Sequence, residues 1–291
     1  MRDDREHIIE TELAPAEGAD LKPDAERRRG RGARSNRSSR YDEGKREAFD
    51  DGWETLATLE TFRTDVMDEH AKSIIATNDS PDLSFDQSIN PYRGCEHGCI
   101  YCYARPTHAY LGHSPGLDFE TKIYAKVNAP ELLEQELARR NYVPKTIALG
   151  AVTDPYQPAE RERGISRRIL EVLDRASHPV GIVTKSAGIV RDIDILARMA
   201  ERGLARVAIS ITTLDRQLAR SMEPRAATPP KRLEAVRRLS EAGIPVAVLT
   251  APIIPALNDN EIESILEAAY EAGAREAGFV VLRLPLELKE L

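Results

Sequence analysis

The sequence predicts an α/β protein, a partial TIM-like (β/α)6 barrel with a parallel sheet, preceded by a disordered polar N-terminal tail. From residue 146 onward, apolar strand-like runs alternate with single helical patterns, which indicates βαβ units. Gly203, Gly243 and Gly273 stand where helix C-caps belong. The 291 residues, 41% hydrophobic and 31% charged, are enough to bury a sizeable core in one or two domains.

The elements are predicted in chain order around this core. A first strand lies at 86–91, directly before the cysteines, and a second strand-like run covers 117–127. Pro130 opens a helix over 131–140, since helices tolerate proline in their first turn. The later strands are predicted at 146–149, 180–183, 206–211, 246–249 and 279–282, and the helices between them at 161–175, 192–202, 229–242 and 261–272.

Three regions follow one another along the chain. Residues 1–50 are predicted to be a disordered Arg-rich tail, because their composition offers too little apolar surface to bury. Residues 51–75 carry a weak helical pattern and are predicted to be a helical lead-in. The core covers 76–291 and is expected to be incomplete at its C-terminus, because the chain stops just after the sixth strand.

Net charge and hydropathy indicate whether the protein binds nucleic acid or a membrane. The net charge of −7 argues against a protein that binds polyanions through its overall charge. The arginines of the tail still match the charge of phosphates, so nucleic acid stays open as a partner. The N-terminus lacks the apolar segment of a signal peptide, and the apolar stretch at 244–257 is too short and proline-interrupted to span a bilayer. A cytoplasmic protein without a membrane partner is expected.

All three cysteines lie in one loop, Cys95, Cys99 and Cys102, with the spacing C-x3-C-x2-C. This is not a disulfide framework, which uses an even number of distributed cysteines. Three thiolates in one turn can hold three corners of a cubane iron–sulfur cluster, and the missing fourth cysteine leaves one iron open. A zinc site completed by His97 or His108 is the alternative.

Polar residues follow the predicted strands at their carboxyl ends, where parallel α/β folds carry their active sites. Lys185 follows an apolar run and is expected to point into the barrel mouth. Asp154 is interpreted either as a site residue or as a cap of the next helix. The segment 223–225 is interpreted as a structural ion pair or turn. Other polar groups at these ends are Thr153, Ser210, Thr212, Thr213, Asn258 and Asp259.

The cysteine motif, with aromatic Tyr101 directly before its last cysteine, resembles the signature of the radical S-adenosylmethionine (radical SAM) superfamily. Within it, the chain resembles the bacterial group related to spore photoproduct lyase and described as DNA repair photolyase-like. The stretches that carry this resemblance are 88–95, 101–108, 153–158, 184–186 and 251–255.

The resemblance implies an enzyme with a [4Fe–4S] cluster and S-adenosyl-L-methionine as cofactors. An external one-electron reductant would reduce the cluster, and the reduced cluster would cleave S-adenosylmethionine to a 5′-deoxyadenosyl radical. This radical would abstract hydrogen from an unknown substrate. The resemblance places the cluster on the three cysteines. It places Tyr101 and Ile253 at the adenine, Lys185 and Ser210 at the methionine carboxylate, and Thr153 and Asp154 at the amino group or ribose.

One departure from that group concerns the catalytic residue. Spore photoproduct lyases carry a further cysteine near the end of the second strand, whereas residues 150–153 here read Gly-Ala-Val-Thr. A thiol relay is therefore not supported, the catalytic residue stays unassigned, and Tyr156 is an alternative relay. Two further interpretations stay open: a radical SAM enzyme that repairs nucleic-acid lesions or modifies bases, and a non-enzymatic iron–sulfur or zinc binding module.

Overall fold

The computed structural model describes residues 30–36, 40–41, 63–80, 85–286 and 288. Its main sheet has the order β10-β9-β8-β7-β6-β3-β2. From β3 to β10 every neighbouring pair is parallel, and β2 pairs antiparallel with β3 at one edge. The strands are β2 (Ile75–Thr77), β3 (Gln87–Ile89), β6 (Ile147–Leu149), β7 (Val180–Thr184), β8 (Ala205–Ser210), β9 (Val246–Ile253) and β10 (Glu276–Val281). The parallel strands of the predicted partial barrel are thus confirmed.

A second, smaller sheet was not foreseen. It has the order β1-β5-β4, with β1 (Asp65–Glu69) parallel to β5 (Lys122–Lys126) and β4 (Tyr92–Arg93) antiparallel to it. Residues 65–69 were predicted as part of a helical lead-in, and this prediction is wrong because their backbone pairs with β5, over 50 residues away. The remainder of that prediction up to residue 62, and most of the tail over 1–50, lie outside the described residues.

The helices are distributed over both sheets. They are α1 (Leu117–Thr121), α2 (Ala129–Leu137), α3 (Glu160–Arg163), α4 (Ile165–Arg175), α5 (Ile193–Glu201), α6 (Arg216–Met222), α7 (Pro229–Glu241) and α8 (Ile262–Glu271), joined by 3₁₀ turns at Arg105–Leu111, Ala187–Asp192 and Asp259–Glu261. The run predicted as one strand at 117–127 divides into α1 and β5. None of the helices in the part of the chain that the structure describes is long and apolar enough to cross a membrane.

The core explains why these segments take these forms. In α4, Ile165, Ile169 and Leu173 recur at helical spacing, and all three are fully buried. In β8, Val207 and Ile209 alternate with outward residues and point into the same core. The sheet edge formed by the carboxyl ends of β6 to β9 stays open to the polar loops that follow, and the cysteine loop meets it there.

Candidate metal centre

The cysteine loop, residues 94–103, follows β4 and forms a tight turn. Its Cys102 N–H donates to the Cys99 carbonyl at 3.2 Å, and Gly98 has a left-handed backbone with φ of 68°. Cys95 and Cys99 are buried and Cys102 is partly buried, and all three are free thiols. The turn therefore holds the three cysteines within one compact loop, and their role as cluster ligands stays a prediction.

The chemistry of these thiols fits an iron–sulfur cluster. Burial raises the pKa of Cys95 and of Cys102, and burial together with the charge of Glu223 raises the pKa of Cys99 to about 12. Thiolates in such surroundings need positive charge beside them, which iron supplies. Among the described residues, no three His, Cys, Asp or Glu side chains gather as a single metal ion requires. A cubane cluster does not require three ligands to converge on one ion, because each thiolate binds a different iron.

The segment 222–225, which we call the clamp, holds the cysteine loop on one side. Its contacts with the loop are Ile100 N–H to the Met222 carbonyl (3.0 Å), the Tyr101 hydroxyl to Glu223, Arg225 N–H to the His97 carbonyl (3.2 Å) and the Arg225 guanidinium to Glu96 (2.9 Å). Because backbone and side-chain bonds alternate along the clamp, the loop is fixed in register with the end of α6.

Asp154 holds the loop on another side. Its carboxylate accepts hydrogen bonds from Thr184 Oγ1 (2.7 Å), Lys185 N–H (2.8 Å) and Tyr156 N–H (2.9 Å), and His97 Nδ1 lies 3.3 Å away. Burial alone would raise the pKa of Asp154, but the charge of His97 and these hydrogen bonds lower it to about 2. Asp154 thus joins the cysteine loop to the end of β7.

Thr153 and Gln157 add to this attachment. Thr153 Oγ1 donates to the Gly94 carbonyl at 2.7 Å and accepts from Gln157 Nε2 at 3.1 Å. Gln157 Oε1 in turn accepts the Glu96 N–H at 2.9 Å. Thr153 Oγ1 is therefore bound to the loop and to Gln157, and its contact with the cofactor stays a prediction.

Lys185 and Ser210 meet at the carboxyl ends of β7 and β8. Lys185 Nζ lies 2.7 Å from Ser210 Oγ, 5.7 Å from the centre of the Tyr101 ring and 4.0 Å from Glu223 Oε1. The Lys185 side chain keeps 18% of its surface exposed. The structure therefore brings together three of the residues predicted to bind the cofactor, and it sets a positive charge beside the cysteine loop.

Behind them lies an ion pair between Glu223 and Arg232, both almost fully buried. Glu223 also accepts a hydrogen bond from Thr212 Oγ1 at 2.6 Å, and Arg232 donates to the Ser210 carbonyl at 2.9 Å. Burial would raise the pKa of Glu223, but the charges of Arg232 and Lys185 and the hydrogen bonds lower it to about 2. The Glu223 carboxylate is thus ionised at neutral pH. It accepts the hydrogen bond of the Tyr101 hydroxyl and so fixes the position of that side chain.

The remaining predicted residues take other positions. Ile253 ends β9 and is partly exposed at the same edge of the sheet. His108, an alternative zinc ligand, is buried with Nε2 3.0 Å from the Lys122 carbonyl. His97 faces Asp154 as described. Tyr156, the alternative relay, donates to Asp192 at 3.0 Å within a separate buried network.

Two clefts in the surface lie elsewhere. One of about 290 Å³ is lined by residues that precede β9 and β10, and one of about 590 Å³ by residues around the starts of β3 and β6. Both lie at amino ends of strands. We place the candidate site at the opposite end, because the thiols and the buried charges converge there.

The fold and the site define a class of protein: a partial parallel α/β barrel whose three-cysteine loop opens at the carboxyl ends of its strands. Residues 89–269 match the family model described as the Radical SAM superfamily. The chain belongs to the radical SAM superfamily. Membership implies a [4Fe–4S] cluster and S-adenosylmethionine.

Two further proteins are similar to this chain in sequence. An uncharacterized protein of Mycobacterium tuberculosis is 38% identical over 194 residues, covering 66% of this chain and 57% of the relative. An uncharacterized protein of Methanocaldococcus jannaschii is 30% identical over 173 residues, covering 60% of this chain and 62% of the relative. The chain thus spans less than two thirds of the length of these relatives.

Solved structures show the same fold. A spore photoproduct lyase mutant with bound AdoMet and dinucleoside spore photoproduct superposes with a TM-score of 0.59 at 18% identity, covering 77% of this chain and 64% of that one. A second lyase mutant gives a TM-score of 0.58 at 19% identity with the same coverage. At this identity the likeness concerns the fold.

Some residues at the site were not found from the sequence. Arg232 lies inside a helix whose pattern reads as exposed and charged, so nothing marked it as buried. Glu120 lay in a run interpreted as strand, and Arg105 carried no assigned role. Arg105 and Gln157 both stood in stretches that carried the resemblance, at 101–108 and 153–158, and those positions were the available signal.

Proposed function

We propose that this chain is a radical SAM enzyme that holds a [4Fe–4S] cluster on Cys95, Cys99 and Cys102 and binds S-adenosylmethionine against the carboxyl ends of β7 to β9. The observation that carries the proposal is the contact of the cysteine loop with Lys185 and Ser210 through Tyr101. A cluster bound there and reduced by an external donor would supply the one electron needed to cleave S-adenosylmethionine into methionine and a 5′-deoxyadenosyl radical, and this radical would take hydrogen from a substrate.

The residues of the chain divide into two roles under this proposal. Lys185 presents an ammonium group, held by Ser210, to the carboxylate of the methionine moiety. The Tyr101 ring and Ile253 offer apolar surface to the adenine. Thr153 and Asp154 position the cysteine loop, because their polar atoms are bound to the loop and to β7.

In this proposal no cysteine of the chain donates a hydrogen atom to the substrate radical. The chain has three cysteines, and all three lie in the loop. A cysteine relay is therefore outside the proposal, and the group that returns or accepts hydrogen is left to the substrate or to a tyrosine.

Anaerobic reconstitution with iron and sulfide tests the proposal. The full chain should take up a [4Fe–4S] cluster and, with dithionite, release 5′-deoxyadenosine from S-adenosylmethionine. Lys185→Met should keep the cluster but raise the Kd for S-adenosylmethionine about tenfold, as a lost charge-assisted hydrogen bond predicts. Lys145→Met, at an exposed ion pair beside the start of β6, is the matched control and should bind like the wild type. Tight zinc without a cluster, or an unchanged Kd for Lys185→Met, would contradict the proposal.

Nucleic acid is the second candidate substrate, favoured by one specific surface. Tyr41 and Tyr110 are 54% and 68% exposed, their ring centres are 5.6 Å apart, and the Arg40 guanidinium lies 4.6 Å from the Tyr41 ring. Tyr110 belongs to the turn just after Cys102. Exposed aromatic rings beside arginine are surfaces on which unpaired bases stack.

This candidate predicts salt-dependent binding of a single-stranded oligonucleotide, measured by fluorescence anisotropy. Joint replacement Tyr41→Ala and Tyr110→Ala should weaken binding about tenfold or more, as the loss of base stacking predicts. Tyr270→Ala is the control, because Tyr270 on α8 is similarly exposed and its ring lies beside the Arg275 guanidinium, as the Tyr41 ring lies beside that of Arg40. Binding that ignores salt, or that is equal in all three proteins, would leave this candidate without support and would not affect the superfamily assignment.

A further inference from the structure

Residues 30–36, which we call the strap, lie against the cysteine loop at Gly98 and Ile100. The backbone N–H groups of Gly32 and Ala33 donate to the Glu120 carboxylate at 2.9 and 2.8 Å. Ala33 is 3% exposed, although it stands in an arginine-rich stretch. This part of the predicted tail is therefore packed into the molecule.

The strap is fastened at both of its ends. Arg31 donates to the Glu120 carbonyl and to Thr64 Oγ1, each at 2.9 Å. At the other end, Asn36 and Asp118 exchange two hydrogen bonds of 2.8 and 2.9 Å. The strap position thus does not depend on a single contact.

Two glycines make room for this packing. A Cβ atom on Gly32 would lie 1.8 Å from the Gly98 carbonyl oxygen of the cysteine loop. A Cβ atom on Gly116 would lie 2.0 Å from the Ser35 carbonyl oxygen of the strap. Neither glycine has a left-handed backbone. A side chain is excluded at both positions by the neighbouring segment and not by backbone strain.

A chain of buried hydrogen bonds leads from the strap to the cysteines. Glu120 is fully buried and also accepts from the Arg105 guanidinium at 2.5 Å. Arg105, 1% exposed, donates through Nε to the Cys99 carbonyl at 3.0 Å and through another nitrogen to the Gly116 carbonyl at 3.0 Å. Strap, carboxylate, guanidinium and ligand loop form one connected unit.

This unit depends on all of its hydrogen-bond donors. A buried carboxylate–guanidinium pair is tolerated when additional hydrogen bonds satisfy its remaining lone pairs. The strap gives Glu120 two such donors. Without them, water would reach the carboxylate, and the guanidinium that holds the Cys99 carbonyl would lose its fixed partner.

We propose that the strap, residues 30–36, is a positioning element of the metal centre, which fixes the Cys99–Cys102 turn through Glu120 and Arg105 and thereby slows loss of the cluster. This role rests on the cluster assignment and is independent of the substrate. It gives the N-terminal arginine-rich stretch a function inside the enzyme, separate from contact with nucleic acid.

Coupling is reciprocal, so the wild-type chain provides the first test. Hydrogen exchange followed by mass spectrometry should show slower exchange over residues 30–36 in the cluster-loaded protein than in the apo protein. Trypsin should likewise cut after Arg31 more slowly once iron is bound. Equal exchange and equal cleavage in the two forms would overturn the proposal.

Two variants then displace the strap from opposite directions. Gly32→Ala introduces the clash from the strap and Gly116→Ala introduces it from the body, and each should release iron to a ferrous chelator about tenfold faster than the wild type. Arg34→Ala, an exposed position of the strap, and Gly181→Ala, where a Cβ meets its nearest atom at 4.0 Å, are the controls and should retain iron normally.

The outcomes separate this proposal from the proposed function. Iron loss within twofold of the wild type in both glycine variants would overturn the strap role while leaving the enzyme proposal intact. Faster trypsin cleavage after Arg31 in Gly32→Ala, together with unchanged iron loss, would overturn it as well. A wild-type chain that takes up no iron would overturn both proposals together.

Discussion

Cys99→Ala is expected to abolish both cluster assembly and the cleavage of S-adenosylmethionine. Three ligands are the least that can hold a cubane cluster while one iron stays open, and the chain has no other cysteine to replace a lost one. The backbone around Cys99 is held independently of its thiol, because its carbonyl accepts from Arg105 at 3.0 Å and from Cys102 N–H at 3.2 Å. The variant should therefore fold while losing the metal.

The measurement is iron and sulfide per chain after anaerobic reconstitution, with the visible spectrum and the yield of 5′-deoxyadenosine beside it. Tyr110→Phe, an exposed position in the turn after the loop, is the control and should take up iron like the wild type. A Cys99→Ala protein with full iron and residual cleavage would show that the ligand assignment is wrong. His97 is a poor substitute ligand, since it lies buried against Asp154 at 3.3 Å.

The elements that could be predicted from the sequence are those governed by local periodicity. Strands and helices beyond residue 146 follow alternating and helical patterns of apolar residues, and their order alone requires parallel neighbours. The rule that parallel strands carry function at their carboxyl ends then brought Lys185 and Ser210 to one site, where their side chains lie 2.7 Å apart. The assignment of strands and helices and the placement of these two residues both rest on sequence patterns that are local in the chain.

The elements that could not be predicted depend on contacts between distant segments. β1 pairs with β5 across more than 50 residues and has no alternation of its own. The strap reads as a polar tail because its contacts use backbone N–H groups and glycines, which leave no apolar signal. Arg105 and Glu120 are charged residues whose burial depends on their ion pair and on hydrogen bonds to distant backbone groups, and a composition rule assigns such residues to the surface.

Glu223 and Arg232 are likewise charged residues that are buried as an ion pair, and the second large prediction concerns them. Glu223→Ala should destabilise the apo protein by about 3–5 kcal/mol, since it leaves the Arg232 charge buried without its partner. Urea unfolding at pH 7 followed by circular dichroism measures the change. Glu234→Ala, which breaks the exposed pair of Glu234 and Arg237 on the same helix, is the matched control and should change stability by less than about 1 kcal/mol.

A second substitution separates charge from packing. Replacing both partners, Glu223→Leu with Arg232→Met, removes the unpaired charge and should restore most of the stability lost in Glu223→Ala. The Tyr101 hydroxyl still loses its acceptor in the double variant. We therefore expect a stable protein that assembles its cluster but binds S-adenosylmethionine more weakly, which would distinguish the positioning role of Glu223 from its role in stability.

The pH dependence of the Glu223→Ala effect provides an independent check. The pKa of Glu223 is about 2 in the folded chain, against an ordinary value of 4.5, and a difference of this size corresponds to about 3 kcal/mol. Because the folded pKa is the lower one, the contribution is fully present above the unfolded pKa and is lost as the pH falls towards 2. The stability difference between wild type and Glu223→Ala should thus be constant from about pH 7 to 5 and shrink below about pH 4. A difference that is small at neutral pH and does not change on acidification would mean that Glu223 is not the ionised partner of Arg232, and that the clamp is held by its backbone contacts alone.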